Sequence, residues 1–143
     1  MDFNGPTLVQ LSREECLRLM GQVPVGRIVY TRQALPAVEL VNFALVDGDI
    51  VIRTDSGGKL AAATRGAVVA FETDSADTAA HTGWSVTVVG YSRAVTDNEE
   101  ILRLEQTGLD PWAPGKRDHF IRISPTFVNG RRITAQRLTT ARE

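Results

Sequence analysis

Short connections between β-branched runs constrain this chain more than any other feature. Gly26–Thr31, Ala37–Val46, Ile50–Thr54, Val68–Thr73 and Trp84–Val95 read as strands, followed by His119–Ile123 and Ile133–Leu138. Asp47-Gly48 between the second and third is a hairpin signal. Pro125 and an Asn129-Gly130 turn are expected to join the last two. Parallel neighbours need crossovers of about a dozen residues or more, so these strands should pair antiparallel. Several are apolar on both faces, which an open one-sided sheet would not need. A mainly β chain, closed or partly closed into a small antiparallel barrel with peripheral helices, satisfies both conditions.

The helices are short and marked by their caps. Ser12-Arg13-Glu14-Glu15 is a capping box, with Leu11 and Cys16 placed as a hydrophobic staple. Cys16, Leu19 and Met20 share one face, and Gly21 and Pro24 end the helix. Asp97 with Glu100 opens another helix that runs to Gln106. Thr107–Asp118 holds Gly108, Pro111, Pro114 and Gly115 and reads as a loop.

Length and charge narrow the function classes. A chain of 143 residues is expected to form one domain, residues 1–143. Its net charge of −1 lacks the basic excess of a nucleic-acid binder. No apolar run approaches the ~20 residues of a membrane span. The lone Cys16 and the distant His81 and His119 offer no zinc spacing. The expectation is a cytoplasmic protein with no nucleic-acid or membrane partner.

The segment Ile50-Val-Ile-Arg-Thr-Asp-Ser-Gly-Gly-Lys59 carries the chemistry. A buried strand ends at Thr54, a small glycine-containing loop follows, and Lys59 opens a short alanine-rich helix. Unpaired backbone N–H groups at such a corner attract anions. Gly57 and Gly58 permit close approach, Thr54 and Ser56 offer hydroxyls, and Lys59 adds a point charge. Strand alternation sends Arg53 to the opposite face from Thr54. A plain strand–turn–helix corner with a solvated lysine fits the same residues.

The surrounding order is more specific. The capped helix leads into Val25-Gly26-Arg27-Ile28-Val29. Then come Leu40-Val41-Asn42-Phe43, Asp47-Gly48-Asp49, the segment just described, and Gly83-Trp84-Ser85-Val86-Thr87-Val88-Val89-Gly90. In that order, from about Leu11 to Asn129, the chain resembles the pyridoxamine 5′-phosphate oxidase-like superfamily of split β-barrel flavoproteins. It is most similar to the small single-domain group that includes nitroimidazole-resistance-type proteins and actinobacterial flavin or deazaflavin reductases.

The resemblance implies a six-stranded split barrel forming a homodimer, with cofactor sites at the two-fold interface. It implies FMN, or in one branch the 8-hydroxy-5-deazaflavin coenzyme, and oxidoreduction of a small molecule. A non-catalytic flavin, haem or lipid binder on the same fold is the alternative. By position, Thr54, Ser56, Gly57, Gly58 and Lys59 would hold the phosphate, with Arg53 beside them. Asn42 and Phe43 would run along the ring. Trp84 and Ser85 would line the site, on a strand that either chain of the dimer could supply. The true oxidase carries further basic residues in an extended C-terminal segment. Here Arg131-Arg132 and Arg137 are found without it, so oxidation of pyridoxamine phosphate is not expected.

Three other residues have two readings each. Asn42 interrupts a long apolar run, where an amide either satisfies neighbouring backbone or faces a cofactor. His81, in a loop of small residues before Trp84, is either solvated or a proton donor. Trp112 either covers a pocket or pins its loop.

Overall fold

The computed structural model describes residues 6–54, 59–109 and 119–135. Seven strands and three helices follow one another as β1 (Thr7–Gln10), α1 (Arg13–Met20), β2 (Val25–Arg32), β3 (Leu35–Val46), β4 (Asp49–Thr54), α2 (Lys59–Thr64), β5 (Val68–Asp77), β6 (Thr82–Ala94), α3 (Asn98–Glu105) and β7 (His119–Thr134). All strand pairs are antiparallel. The sheet runs β7-β4-β3-β2-β5-β6, and β6 pairs back onto β7, so six strands close into a barrel. The seventh, β1, adds to the far half of β7.

Local chemistry explains most boundaries. The Ser12 hydroxyl accepts from the Glu15 amide at 3.2 Å, and the Asp97 carboxylate accepts from the Glu100 amide at 2.9 Å. Cys16, Leu19 and Met20 are buried, as their shared face requires. Asp47 (φ 52°) and Gly48 (φ 83°) form the expected hairpin with the left-handed backbone that such turns need. The β2–β3 hairpin turns in the same way through Gln33 (φ 52°) and Ala34 (φ 66°), residues that give no such signal in the sequence.

One expected turn is absent. Asn129 and Gly130 lie within a continuous β7, opposite Thr87 and Val86 of β6. Gly130 is there for close packing: a Cβ on it would stand 2.5 Å from the Cys16 Sγ. The glycine lets α1 press onto the strand. The irregularity falls instead between Val89 and Gly90, opposite Phe127 and Pro125. Of the expected strand Ile133–Leu138, residues 136–138 lie outside the described residues.

Alternation assigns the two sides of the barrel wall. Ile28, Phe43, Ile52, Phe71, Val86, Val88, Ile121 and Ile123 point inward and form the main core, with Leu60 of α2 and with Cys16 and Met20 of α1. A second cluster lies outside the wall, where Val51 and Phe120 pack against Val95, Leu104 and Leu109 under α3. Among the described residues, no helix is long and apolar enough to cross a membrane.

Candidate functional site

The expected site residues divide between two parts of the wall. Asn42 and Phe43 lie on β3, and Arg53 and Thr54 on its neighbour β4, where Phe43 stands opposite Ile52. The Phe43 side chain is core, in edge contact with Phe71 at 4.9 Å between ring centroids, and its N–H donates to the Pro24 carbonyl at 3.3 Å. Thr54 is buried. Arg53 leaves the opposite side of its strand, as alternation requires. Its guanidinium lies 5.3 Å from the Phe120 ring centroid and donates to the Leu109 carbonyl at 3.4 Å. Lys59 begins α2. Ser56, Gly57 and Gly58, like Trp112, lie outside the described residues, as does the Lys59 side chain.

Trp84 and Ser85 lie on β6, with β2 and β5 between them and β3. Register nevertheless ties the two groups together on the outer face. Asn42 is opposite Val25, Asp74 is opposite Ser85, and Ser85 is opposite Arg131. Extending the β2–β5 ladder by two residues brings Val25 level with Asp74. Asn42, Val25, Asp74, Ser85 and Arg131 thus form one rung across five strands. Nothing in the sequence shows this rung, because it depends on pairings between distant segments.

Two further rungs complete this face. In the next, Arg27 is opposite both Leu40 and Glu72, and Glu72 is opposite Thr87. The Arg27 guanidinium binds Glu72 at 3.0 Å and Asp74 at 2.9 Å. Burial holds the Glu72 carboxyl above the usual carboxylate range; Asp74 beside it adds to the shift and Arg27 opposes it. The rung beyond is apolar throughout: Val38, Val29, Ala70, Val89 and Phe127. Val38 is 60% exposed and Phe127 68%.

A cleft of about 430 Å3 opens at the end of the site rung, between the β5–β6 hairpin and the last residues of β7. Trp84, Ser85, Arg131, Ile133, Asp74 and His81 are among its lining residues. His81 adopts a left-handed backbone, φ 58°, uncommon for a residue with a side chain.

Residues 12–132 match the family model for pyridoxamine 5′-phosphate oxidase. The chain belongs to this family. The pyridoxamine 5′-phosphate oxidase match takes in every strand but β1 and the last residues of β7, and so the whole site rung. The chain is also 41% identical over 137 residues to the uncharacterized protein Rv0080 of Mycobacterium tuberculosis (strain ATCC 25618 / H37Rv), covering 92% of this chain and 90% of that protein. The structure of an FAD binding protein from Mycobacterium smegmatis superposes with a TM-score of 0.75 at 32% identity, over 87% of this chain and 98% of the other. An FAD-binding protein from Mesorhizobium loti shares the fold, with a TM-score of 0.71 at 23% identity over 91% and 99% of the two chains. The split barrel expected of a pyridoxamine 5′-phosphate oxidase relative is the fold found.

Proposed function

We propose that the protein binds a flavin nucleotide between two copies of the chain and uses it to pass a hydride or two electrons to a small organic acceptor. The observation that carries this reading is the outer rung. It puts the Asn42 amide and the Ser85 hydroxyl on one outer strand face. Brought together from two copies of the chain, such donors suit the carbonyl and N–H groups of a flavin's pyrimidine edge. Family membership and the FAD binding of the Mycobacterium smegmatis relative support the same reading.

The two halves of the site are too far apart to serve one ring within one chain. Three strand spacings of ~4.8 Å separate β3 from β6, about 14 Å. In a two-fold dimer, a residue that contacts its partner is contacted in the same way in return. Pairing the outer faces of two copies about an axis between β2 and β5 would bring Ser85 of one chain over Asn42 of the other, while Trp84, on the inner side of β6, packs against the core. The apolar rung from Val38 to Phe127 would be buried by the same contact.

When bound, the flavin supplies the two-electron chemistry. The chain's own residues bind and orient it. Asn42 meets the pyrimidine edge, where a fixed donor favours the negative charge of the reduced state. Thr54, Ser56, Gly57, Gly58 and Lys59 hold the phosphate, and Arg53 adds positive charge from the outer side of β4. Phe43 keeps its side chain in the core and fixes the strand that carries Asn42. A compact cradle suits the single phosphate of FMN; the relative's FAD brings the dinucleotide into the same test. The deazaflavin coenzyme ranks below both, because its polyanionic tail would need a basic groove, and acidic residues such as Asp74 and Asp77 are interspersed with the basic ones in the sequence.

The absorbance spectrum of the purified protein is expected to show a flavin. Calorimetric titration with FMN, FAD and the deazaflavin coenzyme then ranks them. Lys59→Ala removes a charge-assisted contact and should weaken the preferred flavin by roughly 10- to 150-fold. No flavin in the spectrum and no binding in any titration would overturn the reading. Flavin binding without turnover of a reduced nicotinamide would leave a binding protein in place of an enzyme.

A further inference from the structure

We propose that the cleft between the β5–β6 hairpin and the end of β7 is the seat of the acceptor, and that it takes a flat apolar molecule bearing one anionic group, such as an aromatic carboxylate. This rests on the flavin reading for its role, because the cleft opens at the end of the rung on which the flavin would lie.

The charges of the cleft select the ligand. Two carboxylates line it, and both are already engaged. Asp74 is bound by Arg27 at 2.9 Å, and Asp77 accepts from the Ala79 and Ala80 amides at 3.1 and 3.0 Å. Arg131, the one arginine or lysine in the lining, makes no ion pair or side-chain hydrogen bond among the described residues. It stands directly opposite Ser85, so a guanidinium and a hydroxyl meet at one end of the cleft. An oxyanion held by both would gain charge-assisted hydrogen bonds.

The rest of the lining is suited to an apolar body. Ile133 follows Arg131 on the same side of β7 and is 43% exposed. It lies opposite Gly83, which contributes no side chain, and half-buried Trp84 stands beside them. The space of about 430 Å3 is at the lower end of small-molecule pockets. His81 borders the cleft with a backbone that costs free energy to hold, a feature that clusters at ligand sites.

The test is calorimetric titration of the flavin-saturated protein with benzoate and with benzamide, which has the same shape and no charge. Benzoate should bind at least tenfold tighter than benzamide. Arg131→Gln should weaken benzoate by roughly 10- to 150-fold and leave flavin content and the circular dichroism spectrum unchanged. Arg131→Lys should restore part of the loss. Equal binding of the two probes would overturn the proposal, and so would benzoate affinity that ignores Arg131→Gln. Displacement of benzoate by added flavin would also overturn it, because the cleft would then belong to the cofactor. If flavin binds and benzoate does not, the acceptor seat falls and the flavin reading stands. If no flavin binds yet benzoate still depends on Arg131, the flavin reading falls and takes the acceptor role with it.

Discussion

The barrel wall has two outer sides built by the same alternation and finished differently. Behind β4 and the start of β7, the chain covers itself: Val51 and Phe120 lie under Leu104 of α3, and polar groups seal the edge. Arg122, 12% exposed, binds Asp49 at 2.8 Å and Glu100 at 3.0 Å, and Arg93 reaches Glu100 from β6 at 2.8 Å. Across the outer face of β3, β2, β5, β6 and β7, no helix among the described residues packs. Val38, Leu40, Val68, Tyr91 and Phe127 are all more than half exposed. A chain able to cover one side with its own helix leaves the other for something else, and contiguous exposed apolar surface marks an interaction site.

The largest effect that would break this contrast is at Arg122. Arg122→Ala leaves Asp49 and Glu100 without their shared cation in a poorly hydrated place. The expected loss is about 3–5 kcal/mol, read as a lower urea midpoint. Gly130→Ala, inside the barrel, drives a methyl against the Cys16 Sγ and should cost about 1–3 kcal/mol in the same measurement.

Acid should weaken the covered side. Hydrogen bonding from Arg93, with Arg122 nearby, holds the Glu100 carboxyl below the usual carboxylate range. A carboxylate lowered in the folded state contributes stability that is present above its unfolded pKa and lost as pH falls through the folded one. Thermal midpoints should therefore drop as the pH falls below the ordinary carboxylate range, and Glu100→Gln should flatten that part of the curve.

The smallest effect on folding, and the sharpest on assembly, belongs to the open side. Val38→Asp with Phe127→Asp should change the stability of each barrel by no more than about 0.5 kcal/mol per site. Sedimentation velocity should nonetheless show monomers, where the unaltered protein is expected to give dimers. Dimers that survive both substitutions would place the interface elsewhere.

The two sides were not equally legible in the sequence. Strands and caps were, because Asp47-Gly48, Ser12/Glu15 and Asp97/Glu100 are local devices whose residues act on their immediate neighbours. Gly130 misled for a physical reason: a glycine that serves close packing against Cys16 looks the same as one that serves a turn. Gln33 and Ala34 turn a hairpin that neither residue announces, so the pairing of β2 with β3 must impose their backbone. For the site, spacing alone separated Arg53 from Thr54. The alignment of Asn42 with Ser85 was out of reach, because it runs through the β2–β5 pairing, whose partners stand more than forty residues apart in the chain. Arg131 was noted only for its charge, and its place opposite Ser85 comes from the same closure.

The sixteen-residue β7 has a consequence for how the chain reaches this structure. It pairs with β1, β4 and β6, all of which precede it in the chain. Until it docks, β4 and β6 are both open edges, and the hairpins before it form only a curled, unclosed sheet. Closure by so many distant pairings is slow, because loop entropy is lost before the contacts form. During that interval two unfinished sheets can pair edge to edge. The step most exposed to misassembly is thus the arrival of a single strand, and shortening β7 should send the protein into aggregates rather than into a smaller barrel.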